Sequence, residues 1–249
     1  MKDLKDFFKE NPKAALAFSG GVDSAYLLYA ALDCGADVRA YYVKTDFQPE
    51  FEFNDAKRLA EELGAEMTVI YLDVLGDPMV ESNPKDRCYY CKKHIFRAIM
   101  DRAHKDGYDI IMDGTNASDD PGDRPGVRAL REYGVQSPLR ECGLTKARIR
   151  ELSHEAGLFT WDKPAYACLA TRIQTDQKIL YRTLKAVEEC EGFMADLGFR
   201  DFRVRVRGDN ALVQIREEDS ELYKINKEDI EGNIMRFFDG VSLDPEYRK

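Results

Sequence analysis

The hexapeptide Ser19-Gly20-Gly21-Val22-Asp23-Ser24 follows the apolar run Ala14 to Phe18 and leads into a helical stretch through Ala25, Leu28, Ala31 and Leu32. A glycine turn between a strand and a helix constrains the chain twice over, toward a layered α/β architecture and toward an anionic ligand. Two glycines let the main chain turn tightly and approach that ligand, and the amides that open the helix point at it with the helix dipole behind them. The hydroxyls of Ser19 and Ser24 add donors. No Gly-Lys-Ser or Gly-Lys-Thr occurs in the chain, so this is not the Walker A pattern. At about 5–7% usage for each of its five fixed residues, such a string arises by chance on the order of once per million positions.

The same plan repeats downstream, with a strand Val38 to Val43, a helix from Asn54 to Leu63 stopped by Gly64, and a strand Met67 to Leu72. This alternation predicts a parallel sheet with helices on both faces, in which ligands bind beyond the carboxyl ends of the strands. A further strand, Ile110 to Met112, runs into the polar loop Asp113 to Asp120, which puts Gly114 and Asn116 where such a sheet receives ligands. Asp119 to Val127 is dense in Pro, Gly and Asp and is expected to be a long irregular loop. Thr145 reads as the N-cap of a helix Lys146 to Ala156.

After Thr175 the pattern changes. Leu180, Leu184, Val187, Met194 and Leu197 mark one face of a long helix. Phe202, Val204 and Val206 then alternate with arginines, Gly208-Asp209-Asn210 supplies a turn, and Ala211, Val213 and Ile215 alternate again. Asn226 is expected to cap a helix carrying Ile230, Ile234 and Phe237. A boundary is therefore expected near 175, between an α/β domain (1–175) and a small α+β domain (176–249).

A length of 249 residues suits this division. The chain carries 37 basic against 46 acidic residues, a net charge of −9, which argues against a stable nucleic-acid partner. It has no run of about eighteen apolar residues and no apolar signal core behind Met1-Lys2-Asp3, so no membrane partner and a cytoplasmic location are expected. Six cysteines would there be kept reduced.

Three of those cysteines stand out. Cys88 and Cys91 form a Cys-x-x-Cys pair in Arg87-Cys88-Tyr89-Tyr90-Cys91-Lys92, and Cys168 lies in Ala167-Cys168-Leu169-Ala170-Thr171-Arg172. The pair alone fits zinc, redox chemistry or chance. A closed zinc site would want a fourth ligand, and neither a second Cys-x-x-Cys nor a His-x-x-x-His is present, whereas three cysteines suit an iron–sulfur cluster with one iron open to an outside ligand. Cys34 and Cys190 read as packing residues, Cys142 has no assignment, and His94, His104 and His154 read as surface or packing residues. Alternation along the later strand puts Arg203, Arg205 and Arg207 on the face opposite Phe202, Val204 and Val206. They form either a solvated face or a bidentate phosphate site in an otherwise acidic protein.

The glycine hexapeptide resembles the PP-loop of the ATP pyrophosphatases, which adenylate a substrate oxygen and release pyrophosphate. That resemblance implies an adenine nucleotide alpha hydrolase-like fold, with Ser19, Gly20, Gly21, Asp23, Ser24, Gly114 and Asn116 at ATP, Asp23 near Mg2+, and Val43 to Thr45 facing the adenosine. Together with Arg-Cys-Tyr-x-Cys-Lys, Asp-Gly-Thr-Asn-x-x-Asp, Cys-Leu-Ala-Thr-Arg and Arg203-Val204-Arg205, it resembles the LarE family of ATP-dependent sulfur transferases of nickel-pincer nucleotide synthesis. The resemblance implies a pyridinium-3,5-biscarboxylic acid mononucleotide substrate, a downstream nickel-inserting enzyme and a homo-oligomer. It makes Cys168 and Asp23 the catalytic residues, Cys88, Cys91 and Cys168 ligands of a 4Fe-4S cluster, and Arg203, Arg205, Arg172 and Glu191 the substrate-binding set. Arg207 departs from the family pattern, where histidine is expected. A tRNA-thiolating PP-loop enzyme, or a non-catalytic nucleotide-binding metal regulator, is the alternative.

Overall fold

A computed structural model describes residues 3–119 and 125–248. The chain divides into two compact units, one formed by residues up to Val74 together with Asp86–Ala165, the other by Leu75–Lys85 together with the residues from Tyr166 onward. The boundary expected at 175 lies inside the second unit. That unit also takes in a short upstream segment, because the Asp176 amide donates to the Asn83 carbonyl at 2.9 Å and the Ile179 amide to the Glu81 carbonyl at 2.8 Å.

In the first unit, β1 (Lys13–Ala17), β2 (Asp37–Lys44), β3 (Met67–Tyr71) and β4 (Ile111–Asp113) form one sheet of order β3-β2-β1-β4. Every pairing is parallel. Apolar residues of opposite parity along the strands enter two separate cores. Ala14, Leu16, Ala40 and Tyr42 pack with Leu27, Leu28 and Leu59 on one face. Ala15, Tyr41 and Val43 pack with Phe96, Ile99 and Leu130 on the other. Burial on both sides explains why these strands read as apolar runs rather than as clean alternation. The strand order reverses direction between β1 and β4, and in open α/β sheets that switch point is where a crevice forms beyond the strand ends.

Several boundaries differ from the sequence reading. Helix Pro125–Glu132 takes up the end of the segment expected to be irregular, while 120–124 lies outside the described residues. The helix after β2 starts at Glu50 rather than Asn54, with Pro49 at its N-cap. Cys88 and Cys91 lie on a 19-residue helix, Arg87–Lys105. Among the described residues no helix is long and apolar enough to cross a membrane.

In the second unit, β5 (Arg203–Arg207) and β6 (Asn210–Gln214) are antiparallel, and β7 (Gly240–Leu243) adds a parallel strand beside β6. Helix Tyr181–Asp196 buries Leu184, Val187, Cys190 and Met194, as its apolar stripe predicts. Asn226 precedes helix Lys227–Ile234 without capping it through its side chain. Its amide donates instead to the Leu222 carbonyl of the preceding turn.

Candidate functional site

The glycine loop leaves β1 and turns into helix Val22–Asp33. Gly20 has φ +74°, and a Cβ there would lie 2.8 Å from the Ala56 Cβ, so both backbone conformation and space require glycine. The Ser24 hydroxyl donates to the Gly21 carbonyl at 3.1 Å and accepts from the Ser19 amide at 3.3 Å, while the two serine hydroxyls lie 3.1 Å apart. Gly21 caps the helix with no side-chain bond to its first amides. The loop is therefore tied together by its own hydroxyls, and no side chain competes with an anion for the helix start.

Asp23 sits in the first turn. Its Oδ2 accepts from Lys146 Nζ at 2.7 Å, while its buried Oδ1 has no hydrogen-bond partner among the described residues. Burial raises the carboxyl pKa, and Lys146 works against that rise. An ionised oxygen left unsatisfied away from water is costly, and a hard cation would satisfy it. Gly114, at the end of β4, is pressed so closely on this turn that a Cβ would lie 2.8 Å from the Ser24 nitrogen.

Asn116 has a different place from the one expected. It is buried, and its Oδ1 accepts from the Ser118 amide at 2.8 Å, so its side chain shapes the loop rather than reaching outward. Ser118 Oγ in turn accepts from the Lys146 amide at 3.0 Å, which sets the start of helix Lys146–Glu155 near Asp23. Thr145 caps that helix, accepting from the Arg148 amide at 3.3 Å. Thr45, just beyond β2, is also turned inward, with its amide and hydroxyl both donating to Gln48 Oε1.

Cys88 and Cys91 lie three residues apart on the first turn of their helix, hence on one face. Cys88 is exposed and Cys91 buried, and the Arg87 guanidinium donates to the Cys88 sulfur at 3.6 Å. None of the six cysteines forms a disulfide. Cys168 belongs to the second unit, at the start of the 3-10 turn Leu169–Arg172. Its carbonyl accepts from the Thr171 amide at 2.9 Å and from the Thr171 hydroxyl at 2.8 Å.

Arg172 and Glu191 meet in the interior of the second unit, 1% and 4% exposed, in a two-point pair of 2.8 and 3.0 Å. Arg172 Nη1 also donates to the Ala167 carbonyl at 2.8 Å. The Glu191 carboxylate accepts from the Tyr166 hydroxyl at 2.5 Å and the Val204 amide at 2.9 Å. This pair clamps the peptide on either side of Cys168, and four of the five guanidinium N–H groups of Arg172 are spent within the unit. Arg203 likewise is buried, donating to the Phe202 carbonyl and lying 5.1 Å over the Tyr166 ring. Burial and the neighbouring Arg172 and Arg248 push its pKa down to about 10. The open face expected for Arg203, Arg205 and Arg207 is thus closed at Arg203, because Tyr166 and Asp201 cover that end of β5.

A family model described as queuosine biosynthesis protein QueC matches residues 13–88, which include the glycine loop. The pyridinium-3,5-bisthiocarboxylic acid mononucleotide synthase of Lactiplantibacillus plantarum is 34% identical over 211 residues, 84% of this chain and 76% of the relative. The chain belongs to the LarE family. An uncharacterised protein of Synechocystis is 33% identical over 88% of this chain and 82% of its own length. The tRNA-specific 2-thiouridylase MnmA of Thermotoga sp. is a more distant relative, 25% identical over 59% of this chain and 52% of its own length.

Membership in LarE makes the chain an enzyme of the PP-loop class, and its residues can be tested against the groups such an enzyme implies. The unpartnered Asp23 Oδ1 fits Mg2+. Three thiols fit iron–sulfur chemistry by donor type, although among the described residues no three His, Cys, Asp or Glu side chains are gathered into a metal site. Two residues of this layout were not singled out in the sequence. Lys146 could have been suspected because it follows a capping threonine at a helix start. Tyr166 carries no sequence signal beyond its nearness to Cys168.

Proposed function

We propose that this LarE-family enzyme adenylates the carboxylates of a pyridinium-3,5-biscarboxylic acid mononucleotide and converts them to thiocarboxylates for nickel-pincer nucleotide synthesis. The observation that carries the reading is the glycine loop with its uncapped helix start and the unsatisfied, buried Oδ1 of Asp23.

Ser19, Gly20, Gly21 and Ser24 cradle the β and γ phosphates of ATP through amides and hydroxyls. Asp23 would hold Mg2+ with its unsatisfied Oδ1, the ion supplying charge neutralisation at the phosphates, while Lys146 fixes the other oxygen and Gly114 keeps the β4 loop close enough to wall the nucleotide. A substrate carboxylate oxygen attacks the α phosphorus and pyrophosphate leaves. A sulfide then attacks the acyl carbon of the adenylate and AMP leaves with the original carboxylate oxygen. Cys88, Cys91 and Cys168 would hold a 4Fe-4S cluster, which supplies an open iron for labile sulfide. The clamp of Arg172, Glu191 and Tyr166 positions Cys168, and the division of labour expected at 175 falls instead between the two units, the first using ATP and the second serving substrate binding and homo-oligomer formation. The product would pass to a nickel-inserting enzyme.

Mass spectrometry of the pyridinium substrate after incubation with ATP, Mg2+, sulfide and anaerobically reconstituted protein tests the reaction. Oxygen-to-sulfur exchange with release of AMP and pyrophosphate is expected. Pyrophosphate release without exchange would reject it, and sulfur transfer by iron-free anaerobic protein would reject the cluster. The MnmA relationship favours a second reading, thiolation of tRNA, for which ATP-dependent and salt-sensitive tRNA binding is the discriminating measurement.

A further inference from the structure

The second unit contains a cleft of about 410 Å³ lined by Lys85, Thr171, Ile173, Gln174, Thr175, Asp176, Arg205 and Arg207. Its lining holds three cations and one carboxylate, in a chain whose net charge is −9. Among the described residues, Lys85, Arg205 and Arg207 make no ion pair. Arg205 commits Nε to Gln214 Oε1 and Nη1 to the Thr171 carbonyl at 3.0 Å, which orients the guanidinium and leaves Nη2 uncommitted. Gln214 is itself held by Asp244 at 2.6 Å, so that carboxylate steadies the arginine without capping it. Arg207 donates only to the Val206 carbonyl of its own strand, at 3.0 Å. Lys85 has no bonded partner among the described residues.

The backbone builds this convergence. Arg205 and Arg207 are two residues apart on β5 and so share a face. Ile173 bridges to Val206, which lays the 173–176 segment along the strand. Asn83 Nδ2 donates to the Gln174 carbonyl at 2.9 Å, and the Asp176 amide returns a bond to the Asn83 carbonyl at 2.9 Å. Asn83 and Asp176, at φ +56° and +66°, are the two non-glycine residues with positive φ among those described, and they bond each other here. Held backbone in a sparsely populated region is concentrated where a geometry must be kept, and Asn83 of this pair lies two residues from Lys85, which lines the same cleft as the two arginines.

Gathering three cations around a single carboxylate, Asp176, with Asp244 held off on Gln214, leaves an excess of positive charge that an entering anion would relieve. Burial above all, and then the surrounding arginines Arg172, Arg207 and Arg248, lower the Arg205 pKa, while Glu191 works against that fall.

We infer that Lys85 and Arg207, together with Arg205, form the site for a phosphomonoester dianion, with the two arginines presenting planar donors and Lys85 a point charge. The inference rests on the proposed mononucleotide substrate and changes its recognition. The phosphate meets Lys85, Arg205 and Arg207, whereas Arg203, Arg172 and Glu191 serve the interior. A cleft of this volume lies within the usual range for small-molecule sites and admits more than a phosphate alone.

Calorimetric titration of the full-length protein with nicotinic acid mononucleotide, its dephosphorylated riboside and inorganic phosphate tests this. Wild-type protein should bind the mononucleotide at least about tenfold more tightly than the riboside. Lys85→Met and Arg207→Met should each weaken mononucleotide binding about tenfold, leave riboside binding unchanged, and lessen the dependence on salt. Lys85→Arg should restore most of the affinity. Both sites are exposed, and unchanged thermal melting would exclude misfolding as the cause. Equal binding of mononucleotide and riboside, or variants that bind like wild type, would overturn the inference even if sulfur transfer proceeds. Phosphate-dependent binding lost in both variants, in a protein that thiolates nothing, would sustain the inference and reject the proposed reaction.

Discussion

The glycine loop of the first unit and β5 of the second both face anions in the proposed reaction, and they are built in opposite ways. The loop relies on backbone amides, small residues and one carboxylate with an unsatisfied oxygen. The strand relies on long cationic side chains, of which one is buried and two border a cleft. A backbone site is fixed by what cannot be added, as the 2.8 Å approaches at Gly20 and Gly114 show. A side-chain site is fixed by what holds each guanidinium, so neighbouring arginines of one strand acquire different tasks. Changes in the first region should therefore act mainly on nucleotide binding, and changes in the clamp of the second mainly on stability.

The largest effect is expected at the clamp. Glu191→Ala leaves the Arg172 guanidinium buried without its carboxylate, which should cost about 3–5 kcal/mol in denaturant unfolding. The double change Arg172→Met with Glu191→Leu should recover much of that loss while leaving Cys168 poorly held. A loss below about 1 kcal/mol in the single variant would show that the pair does not anchor this segment.

Gly20→Ala comes next. It places a β-carbon in a left-handed position and against Ala56, for a stability cost of about 1–3 kcal/mol. ATP binding, followed by calorimetry, should fall by about a hundredfold or more, because the loop must shift where it meets phosphate. Near-normal ATP affinity would break the contrast between the two regions.

The smallest effect is a shift in pH dependence. The Asp23 pKa is raised in the folded protein, chiefly by burial, and Lys146 lowers it. Mg2+ needs the ionised carboxylate, so Mg2+-dependent ATP binding should weaken as pH falls through this raised value. Lys146→Met removes the opposing influence and should move that acid limb to higher pH, with an affinity loss of about tenfold or less at neutral pH. A limb that stays in place or moves down would separate Lys146 from Asp23.

The sheet was legible because β1 to β4 are short apolar runs bounded by glycine and polar loops, and Thr145 announced its helix through capping chemistry. The start of helix Glu50–Glu62 was less legible, since Pro49 caps it by fixed geometry rather than by a side-chain acceptor. Arg203 looked like its neighbours two and four residues on, because alternation records which face a side chain leaves from and not what later covers that face. Asn116 looked like a ligand residue for a similar reason. A polar side chain in a loop can serve the solvent or the loop, and its bond to the Ser118 amide decides for the loop.

By itself, then, the sequence determined the α/β class, the strand–turn–helix form of the Ser19–Ser24 loop and the motifs of the family, since all three rest on local spacing that no distant contact can alter. The tertiary structure decided that Lys146 belongs to Asp23, that Arg172 and Glu191 hold Cys168's segment, and that Lys85 joins Arg205 and Arg207. The physical reason is that pairing and burial depend on residues separated by as many as 123 positions in the chain, and the cost of an unpaired charge is set by what surrounds it rather than by its neighbours in sequence.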